Sequence, residues 1–278
     1  MPTALDDLFQ NIPQLPSLPK VVTDLIDSLG KDDANIDSIV ENLRHDPTLS
    51  ARVLRMANSS FYGASRKVGA IDDAIAMIGL SALRTLVIAS GVASSFKNVP
   101  NLDLKAFWQN ALVVAGVARR IARRTKGRVN PEFAYTAGLM YRMGVLLIHS
   151  AFPEAAATIA RDCKDITVGE RNAIERTVLH VCHAEAGERL ATNWRFPDEI
   201  VTAMRWYADP MAEGASDTAR IVTLAAQITL DNAHGDSDDA IGSGLPAKAM
   251  EALGLSLDDV ADDIAAVNDL KLDAATFM

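Results

Sequence analysis

The sequence has little cysteine and no long apolar run, and both shortages limit the class of protein. Its 278 residues include only Cys163 and Cys182, which are too few for a disulfide framework, so we interpret both as buried thiols in a reducing compartment. Apolar stretches such as residues 83–92 are shorter than the roughly 20 residues of a membrane span. The acidic N-terminal segment lacks the positive charge of an export signal. We therefore expect a cytoplasmic protein with no membrane-spanning segment.

Motifs of several common catalytic sites are also missing. Neither GxxxxGK[ST] nor GxGxxG occurs, which excludes nucleotide binding by those loops, and the GxSxG elbow of serine hydrolases is absent. One dense group of metal-capable residues remains, His180, Cys182 and His183, and Cys163 would join it only if the fold brought it near. Structural zinc usually takes paired ligands at two places in the chain, and the second pair is missing. We interpret these histidines as core or surface side chains.

The charge balance argues against nucleic acid as a partner. The formal net charge is -9 and the isoelectric point is near 5, whereas phosphate backbones are bound by clustered Lys and Arg. A local exception crowds the end of one helical stretch. We interpret it as a solvated positive face that complements the helix dipole. Its members are Arg119, Arg120, Arg123, Arg124, Lys126 and Arg128.

Helix start and stop signals recur along the whole chain. Apolar residues from Val21 to Leu29 repeat at helical spacing, and Gly30 follows at the position of a C-terminal cap. Asp46 before Pro47 predicts a helix N-terminus, as do Ser81 and the pair Thr167 and Glu170. Because no stretch alternates with period two, we predict an all-α fold.

Longer patterns predict how the helices are grouped. We expect long helices over 104–126, 216–232 and 246–268, and a flexible polar loop over 234–244. The polar stretch NVPNLD, residues 98–103, combines proline with turn-forming residues and is the best internal boundary. We predict two packed helical subdomains, 1–100 and 101–215, with residues 216–278 as a helical extension that packs on the second.

A specific resemblance begins with DPTLSARVLRMANSSFYG, residues 46–63. Alone, this segment would indicate only a capped helix followed by a turn. With LPSLPKVV before it and AIDDAIAMIGLSALRTLVIAS after it, the segment resembles the N-terminal half of an HDOD domain, the HD-related output domain of bacterial signalling proteins. The turn 58–63 is then a candidate hinge or contact surface. The motif residues are Asp46, Pro47, Asn58, Ser59, Tyr62 and Gly63.

The resemblance continues through residues 107–115, 133–148 and 183–204, and covers roughly 12–210 in all. Proteins of this family are similar in their second half to HD phosphohydrolases. In those enzymes a histidine, an adjacent His-Asp pair and a later aspartate bind a divalent metal, which activates water against a phosphoester. The resemblance therefore implies an HD-like helical fold for the second subdomain.

The ligand positions implied by the resemblance carry other residues in this chain. The first histidine corresponds to Asn110, the His-Asp pair to Tyr141 and Arg142, and the later aspartate falls near Ala226, with Gln227 beside it. Asparagine offers one neutral oxygen, tyrosine ionises only near pH 10, and arginine repels a divalent ion. We therefore expect no metal, no cofactor and no catalysis.

Other residues of the same region depart from the family as well. Trp206 and Tyr207 stand where many members have a His-His pair, while His183 matches a histidine that is frequent in the family. We expect residues 138–144 to lie inside a buried helix, with Tyr141 and Arg142 filling the space of the metal. The alternative is that Arg142 lines a small anion or nucleotide pocket with Asn110 and Tyr207.

The resemblance implies a non-enzymatic output or adaptor module that acts through protein–protein interaction. We recognise no receiver, kinase or cyclase segment, so we expect the sensing partner to be a separate signalling protein. Two other hypotheses remain open: a regulator that binds a nucleotide or phosphate ligand without cleaving it, and an active metal-dependent phosphohydrolase.

Overall fold

Helices form all the regular structure in the described part of the chain. The computed structural model describes residues 3–27, 40–41, 43–44, 46–58, 67–163 and 168–277. No strand occurs within these ranges, so the all-α prediction is confirmed. Within the same ranges, no helix is both long enough and apolar enough to cross a bilayer.

The helices are numbered along the chain. Those before the predicted boundary are α1 (Ala4–Asn11), α2 (Lys20–Asp27), α3 (Pro47–Ala57), α4 (Ile71–Ile78) and α5 (Leu80–Ser95). Those of the predicted second subdomain are α6 (Leu104–Arg124), α7 (Pro131–Met140), α8 (Met143–Ala151), α9 (Pro153–Asp162), α10 (Val168–Leu179), α11 (His183–Asn193) and α12 (Asp198–Trp206). The remainder are α13 (Asp217–His234), α14 (Asp238–Gly244), α15 (Ala247–Leu253), α16 (Leu257–Ala265) and α17 (Val267–Phe277).

Several helix ends follow the local signals in the sequence. Asp46 accepts a hydrogen bond from the Leu49 amide at 2.9 Å, and α3 begins at Pro47, as predicted. The prediction that Ser81 caps the next helix is wrong. Gly79, with φ of 81°, ends α4 and turns the chain within one residue, so α5 already begins at Leu80. The expected caps at Gly30 and Thr167 lie outside the described residues.

The C-terminal region is divided more finely than the periodicity indicates. The segment predicted as one helix over 246–268 contains α15, α16 and the start of α17. Gly254 ends α15 in the left-handed conformation, and Ser256 then caps α16. The segment 234–244 is not a flexible loop throughout. It contains α14, where the Ser237 side chain accepts from a backbone amide and Ile241 is fully buried.

The long helix α6 is the central support of the second half of the chain. It packs against α7, α13, α16 and α17, while α8 packs against α9 and α11. α5 packs against α2, α3 and α4 on one side and reaches α7 on the other. α1 lies against α8 and α11, and α17 also contacts α3, so both ends of the described chain cross the predicted subdomain boundary.

The basic cluster at the end of α6 is not a solvated face, which corrects the sequence-based interpretation. Arg119 is 5% exposed and forms an ion pair with Glu132 at 2.6 Å. Arg120 binds the buried carboxylate of Asp263 at 2.8 Å, and Arg128 binds Asp217 at 2.6 Å. These partners lie on α7, α16 and α13. The cluster therefore holds neighbouring helices on α6, and only its Arg123 and Lys126 members are exposed without such a pair among the described residues.

Candidate functional site

The glycine-bracketed stretch 138–144 is a junction between two helices, so the expectation of one continuous buried helix is wrong. α7 ends at Met140, Tyr141 and Arg142 form the turn, and α8 begins at Met143. The two glycines permit close helix contact. A Cβ added to Gly138 would lie 3.0 Å from the Cα atom of Ala115, and one added to Gly144 would lie 1.9 Å from the carbonyl oxygen of His183.

These contacts place the turn beside a cavity of about 290 Å³. Helices α6, α8, α9, α10, α11 and α13, the turns after α7, α9 and α12, and the segment before α6 all contribute side chains. We expected Tyr141 and Arg142 to fill the space, but they line it. The lining residues are Leu102, Asn110, Tyr141, Arg142, Val145, His149, Ala160, Cys163, Arg171, His183, Tyr207, Ala226 and Leu230.

The cavity brings together most of the residues selected from the sequence. Trp206, the last residue of α12, does not line the cavity, although the next residue, Tyr207, does. The Trp206 ring packs in another direction. That ring lies under the Arg205 guanidinium, 4.6 Å from the centroid, and against Gly214. Gln227 is also absent from the lining and donates a hydrogen bond to Asp231 at 2.6 Å. Ala226 is therefore the α13 residue that faces the cavity at the position of the family's late aspartate.

The N-terminal motif lies outside this cavity and is structural in its described part. Asn58 donates to the carbonyl oxygens of Leu54 and Val68, at 2.7 and 2.8 Å, and accepts from the Val68 amide at 2.7 Å. It thereby ties the end of α3 to the segment before α4. Asp46 and Pro47 begin α3. The other predicted motif residues, Ser59, Tyr62 and Gly63, lie outside the described residues.

Two tyrosines form one wall of the cavity. The Tyr141 hydroxyl donates a hydrogen bond to the Asn110 side-chain oxygen at 3.0 Å. The Tyr141 ring meets the Tyr207 ring edge to face, with centroids 5.0 Å apart and an interplanar angle of 82°. Burial raises the pKa of both phenols, that of Tyr207 well above its usual value. Both hydroxyls are therefore neutral hydrogen-bond donors at ordinary pH.

A series of hydrogen bonds continues from Tyr207 through His183 and Glu175 to Arg171. Glu175 accepts from the Arg171 Nε atom at 2.8 Å through one oxygen. Through the other it accepts from the His183 backbone amide at 2.7 Å and from the His183 Nδ1 atom at 2.5 Å. The His183 Nε2 atom bonds the Tyr207 hydroxyl. With Glu175 as acceptor and Tyr207 as donor, the network assigns the Nδ1–H tautomer to a neutral His183.

The pKa shifts of these groups agree with that assignment. Burial alone would raise the pKa of Glu175, but the hydrogen bonds from the His183 ring and backbone amide, together with Arg171, lower it to about 2. Burial lowers the pKa of His183, against the opposing effect of Glu175. Glu175 is therefore a carboxylate, and His183 orients the Tyr207 hydroxyl.

Three further residues line the cavity that the sequence did not assign to this site, and each adds a polar group. Arg171 supplies a second guanidinium beside that of Arg142. His149 is fully buried, and its Nδ1 atom lies 3.0 Å from the Pro100 carbonyl oxygen. Cys163 contributes a thiol whose pKa is raised by burial. These residues come from separate helices and turns, so no local spacing in the sequence connects them.

The residues present do not fit a divalent metal. Asn110 and Tyr141 are bonded to each other, both ring nitrogens of His183 are engaged, and Arg142 is a cation. Among the residues that the structure describes, no group of three or more His, Cys, Asp or Glu is placed to hold a metal ion. The HVCH cluster is also divided, since His180 is exposed whereas Cys182 and His183 are buried.

Comparison with known proteins identifies the family. The model of the HDOD domain matches residues 15–210. The chain belongs to the HDOD family. Its fold is similar to that of an HDOD domain protein of unknown function from Geobacter sulfurreducens, with 23% identity, a TM-score of 0.82, and coverage of 99% of this chain and 97% of the other.

A second solved structure has a higher sequence identity and is named differently. It is a candidate phosphohydrolase of Shewanella amazonensis SB2B, 35% identical, with a TM-score of 0.82 and coverage of 98% of this chain and 97% of the other. An uncharacterized protein of Treponema pallidum is 24% identical over 208 residues, which are 73% of this chain. The match spans only 39% of that curated relative's length.

Proposed function

We propose that this HDOD protein is a non-catalytic signal-transduction module of the cytoplasm that acts by binding other proteins. One observation carries the non-catalytic part. The residues at the family's metal-ligand positions, Asn110, Tyr141, Arg142 and Ala226, line one cavity, yet none of the four is a carboxylate or an imidazole. Their convergence supports the correspondence with HD phosphohydrolases. Their chemistry removes the ion on which hydrolysis by that route depends.

The cavity is also electrostatically unsuited to a divalent cation. Arg142 and Arg171 place two permanent positive charges on its lining, and no carboxylate belongs to the lining among the described residues. Glu175 does not belong to the lining, and its two oxygens already accept hydrogen bonds from Arg171 and His183. A cation would have to enter against both guanidinium groups without a free anionic ligand.

Turnover of a generic phosphodiester tests the proposal against its main alternative, a phosphohydrolase. The name of the Shewanella relative makes this alternative specific. Purified protein is incubated with bis-p-nitrophenyl phosphate and added Mn²⁺, Fe²⁺ or Ni²⁺. We expect no more p-nitrophenol to be released than by the metal ion without protein. Release that is proportional to protein concentration, with constant specific activity across the purification peak, would contradict the non-catalytic proposal.

Interaction with another protein needs a separate test. Tagged protein is cross-linked in the source cell and recovered under denaturing conditions. An unrelated tagged helical protein serves as the control. We expect enrichment of a signalling protein, such as one with a receiver, kinase or cyclase domain, whose direct binding is then reproduced with purified components. Failure of every enriched protein to bind in purified form would contradict the adaptor proposal.

A further inference from the structure

The cavity has the polar lining of an anion site. Arg142 and Arg171 both contribute guanidinium groups. Arg171 uses its Nε atom for Glu175 and makes no further hydrogen bond to the described residues, while no described carboxylate lies within ion-pair distance of Arg142. Guanidinium groups present planar pairs of donors that match phosphate oxygens. Two guanidinium groups suit a doubly charged anion as the ligand better than they suit a singly charged carboxylate.

His149 adds an independent observation that favours a ligand. Its Nδ1 atom faces the Pro100 carbonyl oxygen at 3.0 Å, so Nδ1 must carry the proton and donate. Its Nε2 atom is therefore an acceptor, and this buried atom has no hydrogen-bond partner among the described residues. Buried polar atoms are normally paired. A ligand in the cavity that His149 lines would complete this pairing with an O–H or N–H group.

Size restricts the ligand further. At about 290 Å³, the cavity is at the lower end of the range for small-molecule sites. We propose that it binds a small phosphomonoester, at most a mononucleotide, whose phosphate contacts Arg142 and Arg171 and whose hydroxyl or amino group donates to His149. This proposal rests on the non-catalytic function proposed above, because the ester is bound and released intact.

Thermal shift with defined probes gives the first test. The probes are AMP, GMP, ribose 5-phosphate and glycerol 3-phosphate, each compared with its neutral counterpart without phosphate. A ligand that binds only the folded state raises the melting temperature. We expect at least one phosphomonoester, and not its neutral counterpart, to raise it in wild type. Arg142→Gln should weaken binding at least tenfold, while Arg161→Gln, an exposed arginine of α9, should leave binding unchanged. Equal binding by Arg142→Gln, or no stabilisation by any probe, would overturn the proposal.

A second measurement uses only wild-type protein, in case Arg142→Gln does not fold. Cys163 lines the cavity, whereas the second thiol, Cys182, is fully buried and does not line it, so its alkylation reports opening of the fold. We expect a binding probe to slow alkylation of Cys163 severalfold, as read by mass spectrometry of the labelled peptides. Stabilisation without protection of Cys163 would place the ligand elsewhere and refute the site.

Product analysis separates this inference from the proposed function. Binding of the ester without phosphate release supports both. Binding with release would refute the non-catalytic function and leave the site assignment standing. Absence of binding would refute the site and leave the non-catalytic function standing.

Discussion

Replacement of Gly144 by alanine should separate α8 and α11, two helices that contribute residues to the lining of the cavity. The new Cβ would lie 1.9 Å from the carbonyl oxygen of His183, and 2.7 and 2.8 Å from its carbonyl carbon and Cα atoms. All three atoms belong to backbone, so α8 and α11 must move apart by more than about 1 Å to restore ordinary contact distances. That shift also strains the hydrogen bond from the His183 amide to Glu175.

The expected loss follows from opposing terms. Alanine in place of glycine within a helix gains up to about 1 kcal/mol. Overpacking costs about 1–3 kcal/mol, and loss of a hydrogen bond to a charged group costs about 1.5–3 kcal/mol. We expect a net loss near 3 kcal/mol. At about 2–4 °C for each kcal/mol in a chain of this size, the melting temperature should fall by roughly 6–12 °C.

Differential scanning calorimetry of two variants checks this prediction. Gly242→Ala is the matched control, because Gly242 also lies in a helix but its added Cβ would meet nothing closer than 3.8 Å. We expect the control to melt at or slightly above the wild-type temperature. If Gly144→Ala melts within about 1 °C of wild type, the close contact between α8 and α11 is not as described, since a loss near 3 kcal/mol requires a larger shift.

Two further predictions concern buried charges. Asp263→Asn should lower the free energy of unfolding by about 2 kcal/mol, since the Asp263 carboxylate is 1% exposed and accepts hydrogen bonds from two arginines of α6. The control is Asp262→Asn, which should cost under about 1 kcal/mol because the Asp262 side chain is 82% exposed. Equal urea midpoints for the two variants would contradict the proposed role of Asp263 in holding α16 on α6. Acid should weaken the fold in two stages. Because the folded pKa of His183 lies below 6.5, the unfolded chain takes up this proton first and stability falls below about pH 6.5. Because the folded pKa of Glu175 is about 2 against 4.5, its contribution is present above about pH 4.5 and is lost towards pH 2. Urea midpoints measured across this pH range follow both stages. His183→Gln should remove the first stage, whereas His180→Gln, at an exposed position, should keep it. An unchanged dependence of stability on pH in His183→Gln would refute the assignment of the first stage to His183.

Local signals predicted much of the helical fold. Asp46 with Pro47 begins α3 as predicted, because a side-chain cap and an N-terminal proline act within one turn. The division of the C-terminal segment also had a local signal, since Gly254 precedes the capping residue Ser256. The periodicity continued across this break and concealed it.

Contacts between residues far apart in the chain could not be predicted from the sequence. Arg120 and Asp263 are 143 residues apart, so the basic cluster resembled an exposed helix end until its partners were placed. In the site, the family resemblance identified Asn110, Tyr141 and Ala226. Only the packing of α8 and α10 beside them added His149 and Arg171, because a contact between helices leaves no fixed spacing in one chain.

The central claim is that the cavity beside Asn110, Tyr141 and Arg142 cannot hold a divalent ion. Calorimetric titration of Mn²⁺ into chelator-treated protein tests this claim most directly. We predict no saturable binding and, in the purified protein, far less than one transition-metal ion per chain. Saturable binding of one ion per chain, with electron density for that ion beside these three residues, would contradict it.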